Sequence, residues 1–181
     1  EIMAATERGT ALSRQLMQFG RARSAQSYPA SLATVVLNMQ PGLERMLGSD
    51  ISLHVEVEPD LPEVPMDPTE ADEIVMNLVM NARDAMPGGG ALTIELKRSP
   101  CGSERSPTPQ RGTEHLVLQV TDTGLGISAE DLKHVFEPYF TTKGDEGTGL
   151  GLANVWRIVA DAGGVVEVES DVGTGTTFRI Y

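Results

Sequence analysis

Cysteine occurs once in these 181 residues, at Cys101, so no intrachain disulfide can hold the fold. With no secretory leader either, a reducing cytosol is the expected setting. Long apolar runs are also missing. None approaches the ~20 residues that a membrane-spanning helix needs. Basic residues number 14 against 26 acidic ones, for a net charge of -12, and they form no run. That balance argues against nucleic acid as a partner. A nucleotide remains open, because magnesium, one lysine and backbone amides can offset phosphate charge. No Gly-Lys-Ser/Thr closes a glycine-rich loop, and no long apolar parallel strand feeds one. P-loop and dinucleotide folds are thereby excluded. No repeat is visible. The chain opens on Glu1 in mid-pattern without an initiator Met. It is expected to be the cytoplasmic portion of a longer protein, whose membrane anchor, where there is one, lies elsewhere.

The patterns that are present predict a helical appendage followed by a mixed α+β domain. Ala5, Gly9, Leu12, Leu16 and Phe19 recur at alternating four and three spacing, a seam suited to a partner helix. Ser31 is placed to cap a helix running to Leu47, where Gly48 supplies a stop. "ISLHVEVE" alternates as a half-buried strand does, with Ile51, Leu53, Val55 and Val57 on one face. Asp67 followed by Pro68 is a strong helix start. Ile74, Leu78, Ala82 and Ala85 then give an inward face up to Met86. Strands are expected over 91–97 and 114–122, a short helix near 129–135, another helix over about 150–162, and two closing strands, "VVEVES" and "GTTFRIY". The Ser/Pro/Gly-rich stretch 98–113 reads as a hairpin loop with no assignable chemistry. The sum is a two-layer α/β sandwich on a mixed, largely antiparallel sheet, with helices on one face.

Three local features suggest chemistry. "GTGLGLANV" (147–155) ends a polar, Gly-rich stretch and opens a helix, where backbone amides and the helix N-terminus can meet phosphate. In "DTGLGIS" (122–128), Asp122 ends an apolar strand. It could start a turn, a common role for Asp, or accept the exocyclic amine of adenine beside glycines that leave room for a flat ring. In "NLVMNARDAM" (77–86), two asparagines interrupt an apolar helical run, although Asn disfavours helix interiors. At 3.6 residues per turn Glu73, Asn77, Asn81 and Arg83 or Asp84 track one edge. Asn81 there can offer a hard amide oxygen to magnesium.

Taken in order, "NLVMNARDAM", "DTGLGIS", "FEPYFTTK" (136–143), "GTGLGLANV" and "GTGTTF" (173–178) resemble the N, G1, F and G2 boxes and closing strand of sensor histidine kinases. Their ATP-binding domain belongs to the superfamily of Hsp90 chaperones, type II topoisomerases and mismatch-repair ATPases. "RGTALSRQLMQFGR" resembles the second helix of the dimerisation and phosphoacceptor hairpin in nitrogen-regulation and hybrid kinases. The resemblance implies a Bergerat-type catalytic domain over residues 29–181, a partial hairpin helix over 1–28, and an ATP lid over about 141–149. It implies ATP and Mg2+ as cofactors, Asn81 as the magnesium ligand and Asn77 in support. Asp122 would read adenine, with Gly124 and Gly126 shaping its pocket and Thr176 or Thr177 behind it. Lys143 and the segment Gly147, Thr148, Gly149, Leu150, Gly151 and Leu152 would meet the phosphates. Phe136 and Phe140 read more simply as apolar anchors of the lid ends. Asp84 departs from the family pattern, standing where many relatives carry a basic phosphate contact.

The superfamily's hydrolases place a Glu one turn before the metal-binding Asn; here that residue is Asn77, and an amide is a poor general base. Phosphoryl transfer is therefore expected over hydrolysis, to the phosphoacceptor histidine of the hairpin and onward to a response-regulator receiver domain, from a homodimer in the full protein. His54, His115 and His134 are each followed by an apolar residue, unlike the family's phosphoacceptor, so the chain is not expected to autophosphorylate alone. A catalytically silent nucleotide sensor is the alternative, and a chaperone- or topoisomerase-type ATPase is a third that Asn77 disfavours.

Overall fold

The computed structural model describes residues 30–99, 115–144 and 147–181. The expected hairpin helix over 1–28 and most of the 98–113 loop lie outside those residues. The first helix, α1 (Leu32–Leu47), starts where Ser31 accepts a hydrogen bond from the Thr34 amide and ends at Gly48, whose φ is 75°. Strand β1 (Ile51–Val57) leads into α2 (Pro68–Ala85), and β2 (Gly90–Ser99) pairs with β1 in parallel. A parallel pair needs a crossover connection, and α2 is that crossover. Strands β3 (His115–Asp122), β4 (Val166–Asp171) and β5 (Gly175–Ile180) complete a five-stranded sheet in the order β1-β2-β3-β5-β4, antiparallel everywhere except at β1-β2. Helix α3 (Gly151–Asp161) packs on α2.

Alternation along the strands sets the layers. Leu92, Ile94, Leu96, Leu118, Val120, Phe178 and Ile180 are buried in one core with Ile74, Val75, Leu78 and Val79 of α2 and Val155 and Ile158 of α3. The intervening Glu95, Lys97, Gln119 and Arg179 instead pair with one another on the sheet's other face, as Lys97 with Glu95 at 3.2 Å and Arg179 with Gln119 at 2.9 Å.

The start of α2 matches the sequence expectation in detail. Asp67 Oδ1 accepts hydrogen bonds from the Thr69 amide at 2.8 Å and the Thr69 hydroxyl at 2.6 Å, while Glu70 Oε2 accepts from the Asp67 amide at 3.2 Å. Asp67→Ala should lower stability by about 1 kcal/mol, read as a lower urea midpoint at unchanged m. The Thr69 hydrogen bonds hold the Asp67 carboxyl below its ordinary value. The cap's contribution is therefore present above the unfolded carboxylate pKa and is lost as pH falls through the lower folded one.

The short helix expected near 129–135 is only a 3-10 turn, Asp131–Lys133. Ser128 Oγ accepts from the Asp131 amide and donates to Asp131 Oδ2. The Ser128 hydroxyl thus caps the start of the turn. No residue of the turn itself is buried, and Val135 just beyond it is the one buried residue of the expected helix, too little to sustain a longer one.

Candidate functional site

The strand end, the edge of α2 and the start of α3 converge at one end of the sheet. Asp122, the last residue of β3, is buried and lies opposite Thr176 of β5. Its Oδ1 accepts from the Gly124 amide at 2.8 Å and the Thr176 amide at 3.3 Å. Burial pushes the Asp122 carboxyl up, with those two amide hydrogen bonds opposing. One carboxylate oxygen is thus committed to the backbone. The other is left for a donor such as an exocyclic amine.

The turn after Asp122 is pinned to the end of α2. The Leu125 amide donates to the Ala85 carbonyl at 2.9 Å, so the "DTGLGIS" turn lies one helical turn beyond Asn81. This approach dictates the glycines. A Cβ on Gly124 would stand 2.5 Å from the Ala85 oxygen, and one on Gly126, whose φ is 69°, would strike the Asp171 carbonyl. Ser170, which the sequence did not single out, braces the turn from β4. Its hydroxyl accepts from the Ile127 amide at 2.8 Å, donates to the Gly175 carbonyl at 2.9 Å and lies 2.9 Å from the Thr176 hydroxyl. Thr176 therefore belongs to the Asp122 side of the sheet. Thr177 turns to the opposite face, its hydroxyl 3.1 Å from that of Thr121.

Asn77 and Asn81 are both half-buried on the α2 edge that faces the first turn of α3. A Cβ on Gly151 would lie 3.1 Å from Asn77 Oδ1 and 3.9 Å from Asn81 Nδ2, so the α3 N-terminus opens beside both amides. Leu150 precedes it as a buried N-cap without a side-chain hydrogen bond, and Leu152 packs on the core. A second polar brace, also unforeseen, holds this register. Buried Asn154 of α3 donates to Glu73 of α2, one turn before Asn77, and its Oδ1 accepts from Arg157 at 2.9 Å. The sequence signal for it is weak, since a polar residue within "LANVWRIV" resembles any exposed helix position.

Lys143 reaches this edge from the segment after β3. Its ammonium donates to Asp84 Oδ2 at 2.8 Å and to Asn81 Oδ1 at 3.3 Å. Arg83 folds onto its neighbour instead, with Nη2 3.0 Å from Asp84 Oδ1. Partial burial pushes the Asp84 carboxyl up, and the Lys143 and Arg83 cations outweigh it, holding the group below the ordinary carboxylate value. Gly149 is joined to the "FEPYF" segment through its carbonyl, which accepts from the Tyr139 amide at 2.9 Å. Phe136 packs on the core, and the Phe140 ring lies 5.7 Å from that of His134. Gly147 is half-buried near Thr141 and Lys143, and Thr148 is exposed. Among the described residues no three His, Cys, Asp or Glu side chains form a metal cluster. Asn81 Oδ1, an amide oxygen already facing a cationic group, has the chemistry for a hard divalent ion.

With this arrangement in view, residues 66–181 match the family described as histidine kinase-, DNA gyrase B- and HSP90-like ATPases. The chain belongs to that family. The sensor kinase CckA of Brucella abortus is 37% identical over 179 residues, covering 96% of this chain and 19% of that protein. The sensory histidine kinase/phosphatase NtrB of Rhodobacter capsulatus is 33% identical over 181 residues, covering 99% of this chain and 50% of that one. Among solved structures, the mycobacterial sensor histidine kinase MprB superposes with a TM-score of 0.68 at 28% identity, over 86% of this chain and 95% of that one. The sandwich is thus the ATPase fold of histidine-kinase catalytic domains. This chain spans half or less of the length of the two sensor kinases. Among the described residues no helix is long and apolar enough to cross a membrane.

Proposed function

We propose that this chain binds Mg-ATP and passes its γ-phosphoryl group to a histidine on a dimerisation helix, as the catalytic part of a two-component sensor kinase. The observation that carries this reading is Asn77 beside the N-terminus of α3. An amide stands where a hydrolase would need a base for water, and it cannot take a proton from a nucleophile. What remains is suited to aiming a phosphoryl group by position and charge. Asp122 accepts the adenine amine, and Gly124 and Gly126 keep the ring's space clear. The α3 N-terminus, entered through Gly147, Thr148, Gly149, Leu150, Gly151 and Leu152, presents amides and partial positive charge to the phosphates. Asn81, with Asn77 in support, holds magnesium, which neutralises charge on the transferring group when bound. Lys143 adds a cation to the phosphates.

The histidines support an acceptor supplied from outside this domain. His54 is exposed on β1, and His134 follows the 3-10 turn with Nδ1 2.8 Å from Glu137 Oε1. Neither stands on a helix. A receiver domain as the next phosphate acceptor, a homodimer in the full protein and a hairpin helix over residues 1–28 belong to the same proposal. Mixing this chain, γ-labelled ATP and a separate hairpin bearing the phosphoacceptor histidine should place acid-labile, base-stable phosphate on the hairpin and none on this chain. Rapid phosphate release in the hairpin's absence would instead identify a hydrolase.

A further inference from the structure

The geometry points to Asp84 as a positioning residue that parks the Lys143 ammonium on α2 until bound nucleotide draws it away. The inference builds on the nucleotide reading and adds what that reading lacks, a reason for an acid at this position. Lys143 bridges two oxygens of one helix edge, Asp84 Oδ2 at 2.8 Å and Asn81 Oδ1 at 3.3 Å. The two partners stand 59 and 62 residues away in sequence, so the contact ties the segment after "FEPYF" to α2.

Asn81 Oδ1 is also the oxygen proposed for magnesium. A magnesium ion sits about 2.1 Å from its ligands, and an ammonium hydrogen-bonded to the same oxygen would lie close enough to be strongly repelled. Loading the metal nucleotide therefore evicts Lys143 from Asn81. The phosphates then compete with Asp84 for its charge. Asp84 can release it, because Arg83 stays on Oδ1 at 3.0 Å and leaves the carboxylate paired. The Lys143–Asp84 pair is also weak enough to exchange, with side chains 37% and 34% exposed, a setting in which ion pairs contribute little and reversibly. Asp84 thereby sets a threshold: Lys143 reaches phosphate only when the incoming charge exceeds what the carboxylate offers.

The test compares the wild-type chain with Asp84→Asn and Asp84→Glu by two readouts. Acylation of Lys143 by an amine reagent, followed by mass spectrometry without nucleotide, should run severalfold faster in Asp84→Asn, with the exposed Lys133 unchanged as internal control. Calorimetry with ATP and saturating magnesium should show Asp84→Asn binding roughly two- to fivefold tighter. Asp84→Glu should restore both values. Damage to the fold alone would weaken binding, so the gain separates positioning from support. Unchanged Lys143 reactivity overturns the inference. So does weaker binding in a parallel titration at limiting magnesium that saturating magnesium restores, which would make Asp84 a metal ligand. If the wild-type chain bound no ATP, the nucleotide reading would fall, and the acylation comparison would still decide whether Asp84 parks Lys143.

Discussion

Asn81→Ala should reduce phosphoryl transfer to the hairpin by at least roughly a hundredfold, the scale of loss when a preorganised group that stabilises developing charge is removed. Asn81 is half-buried on α2, with Oδ1 facing the Lys143 ammonium and Nδ2 near the start of α3. Asn77, one turn away, is the other amide facing the start of α3. Ala is the better helix former, and α2 keeps its buried face of Ile74, Val75, Leu78 and Val79. The variant should therefore fold with a thermal midpoint near that of wild type, so lost transfer reports on the site. The loss should appear chiefly with the magnesium nucleotide, and titrating magnesium should recover part of it. Transfer within a few-fold of wild type would mean the metal is held elsewhere and would remove Asn81 from the site.

Asp122→Asn should separate stability from binding. The native carboxylate is buried, and burial pushes its pKa up against the hydrogen bonds from Gly124 and Thr176. The folded state therefore holds a proton more tightly than the unfolded chain. As pH rises above the ordinary carboxylate value, the unfolded state ionises first, and stability falls until the folded group has ionised too. At neutral pH the charged Asp122 is thus a net cost to the fold. Asn keeps an oxygen for both amides and removes the buried charge, so the variant should melt higher than wild type at pH 7. That advantage should vanish as pH is lowered through the folded Asp122 pKa. Binding should move the other way. The Asn nitrogen would present a donor to the adenine amine where a charged acceptor stood, and loss of a charge-assisted hydrogen bond worth about 1.5–3 kcal/mol predicts ATP affinity roughly ten- to a hundredfold lower. Scanning calorimetry across pH and ATP titration measure the two effects. A variant that melted lower and bound normally would refute both halves.

The geometry of the candidate site was legible in unequal parts. The glycines stood out as punctuation of a turn after a strand, but the constraint on them is tertiary, since a Cβ on Gly124 would meet the Ala85 carbonyl and one on Gly126 the Asp171 carbonyl. Asn77 and Asn81 stood out as amides breaking an apolar helical pattern. The choice between Thr176 and Thr177 was not readable from the motif, since adjacent strand residues differ only in the face they take. Pairing with β3 settled their sides, setting Thr176 against Asp122 and Thr177 against Thr121. The expected helix near 129–135 failed for a related reason. Its composition suits a helix, but Val135 at its end is its one buried residue, and a single buried contact does not sustain several turns.

Periodicity and turn chemistry by themselves determined the helices over 32–47, 68–85 and 151–161 to within a residue or two, the five strands, and a sandwich with helices on one face. Those features depend on spacings of two or 3.6 residues and on caps such as Ser31 and Asp67, all written in neighbouring positions. Only the tertiary structure decided that Lys143 rests on Asp84 and Asn81, that Asn154 joins Glu73, and that Ser170 braces the Asp122 turn. Each of these contacts joins residues more than forty positions apart through a single polar pair. Such a pair leaves no repeat in the sequence, and it exists only once packing of the sheet against α2 and α3 has brought its members within hydrogen-bonding distance.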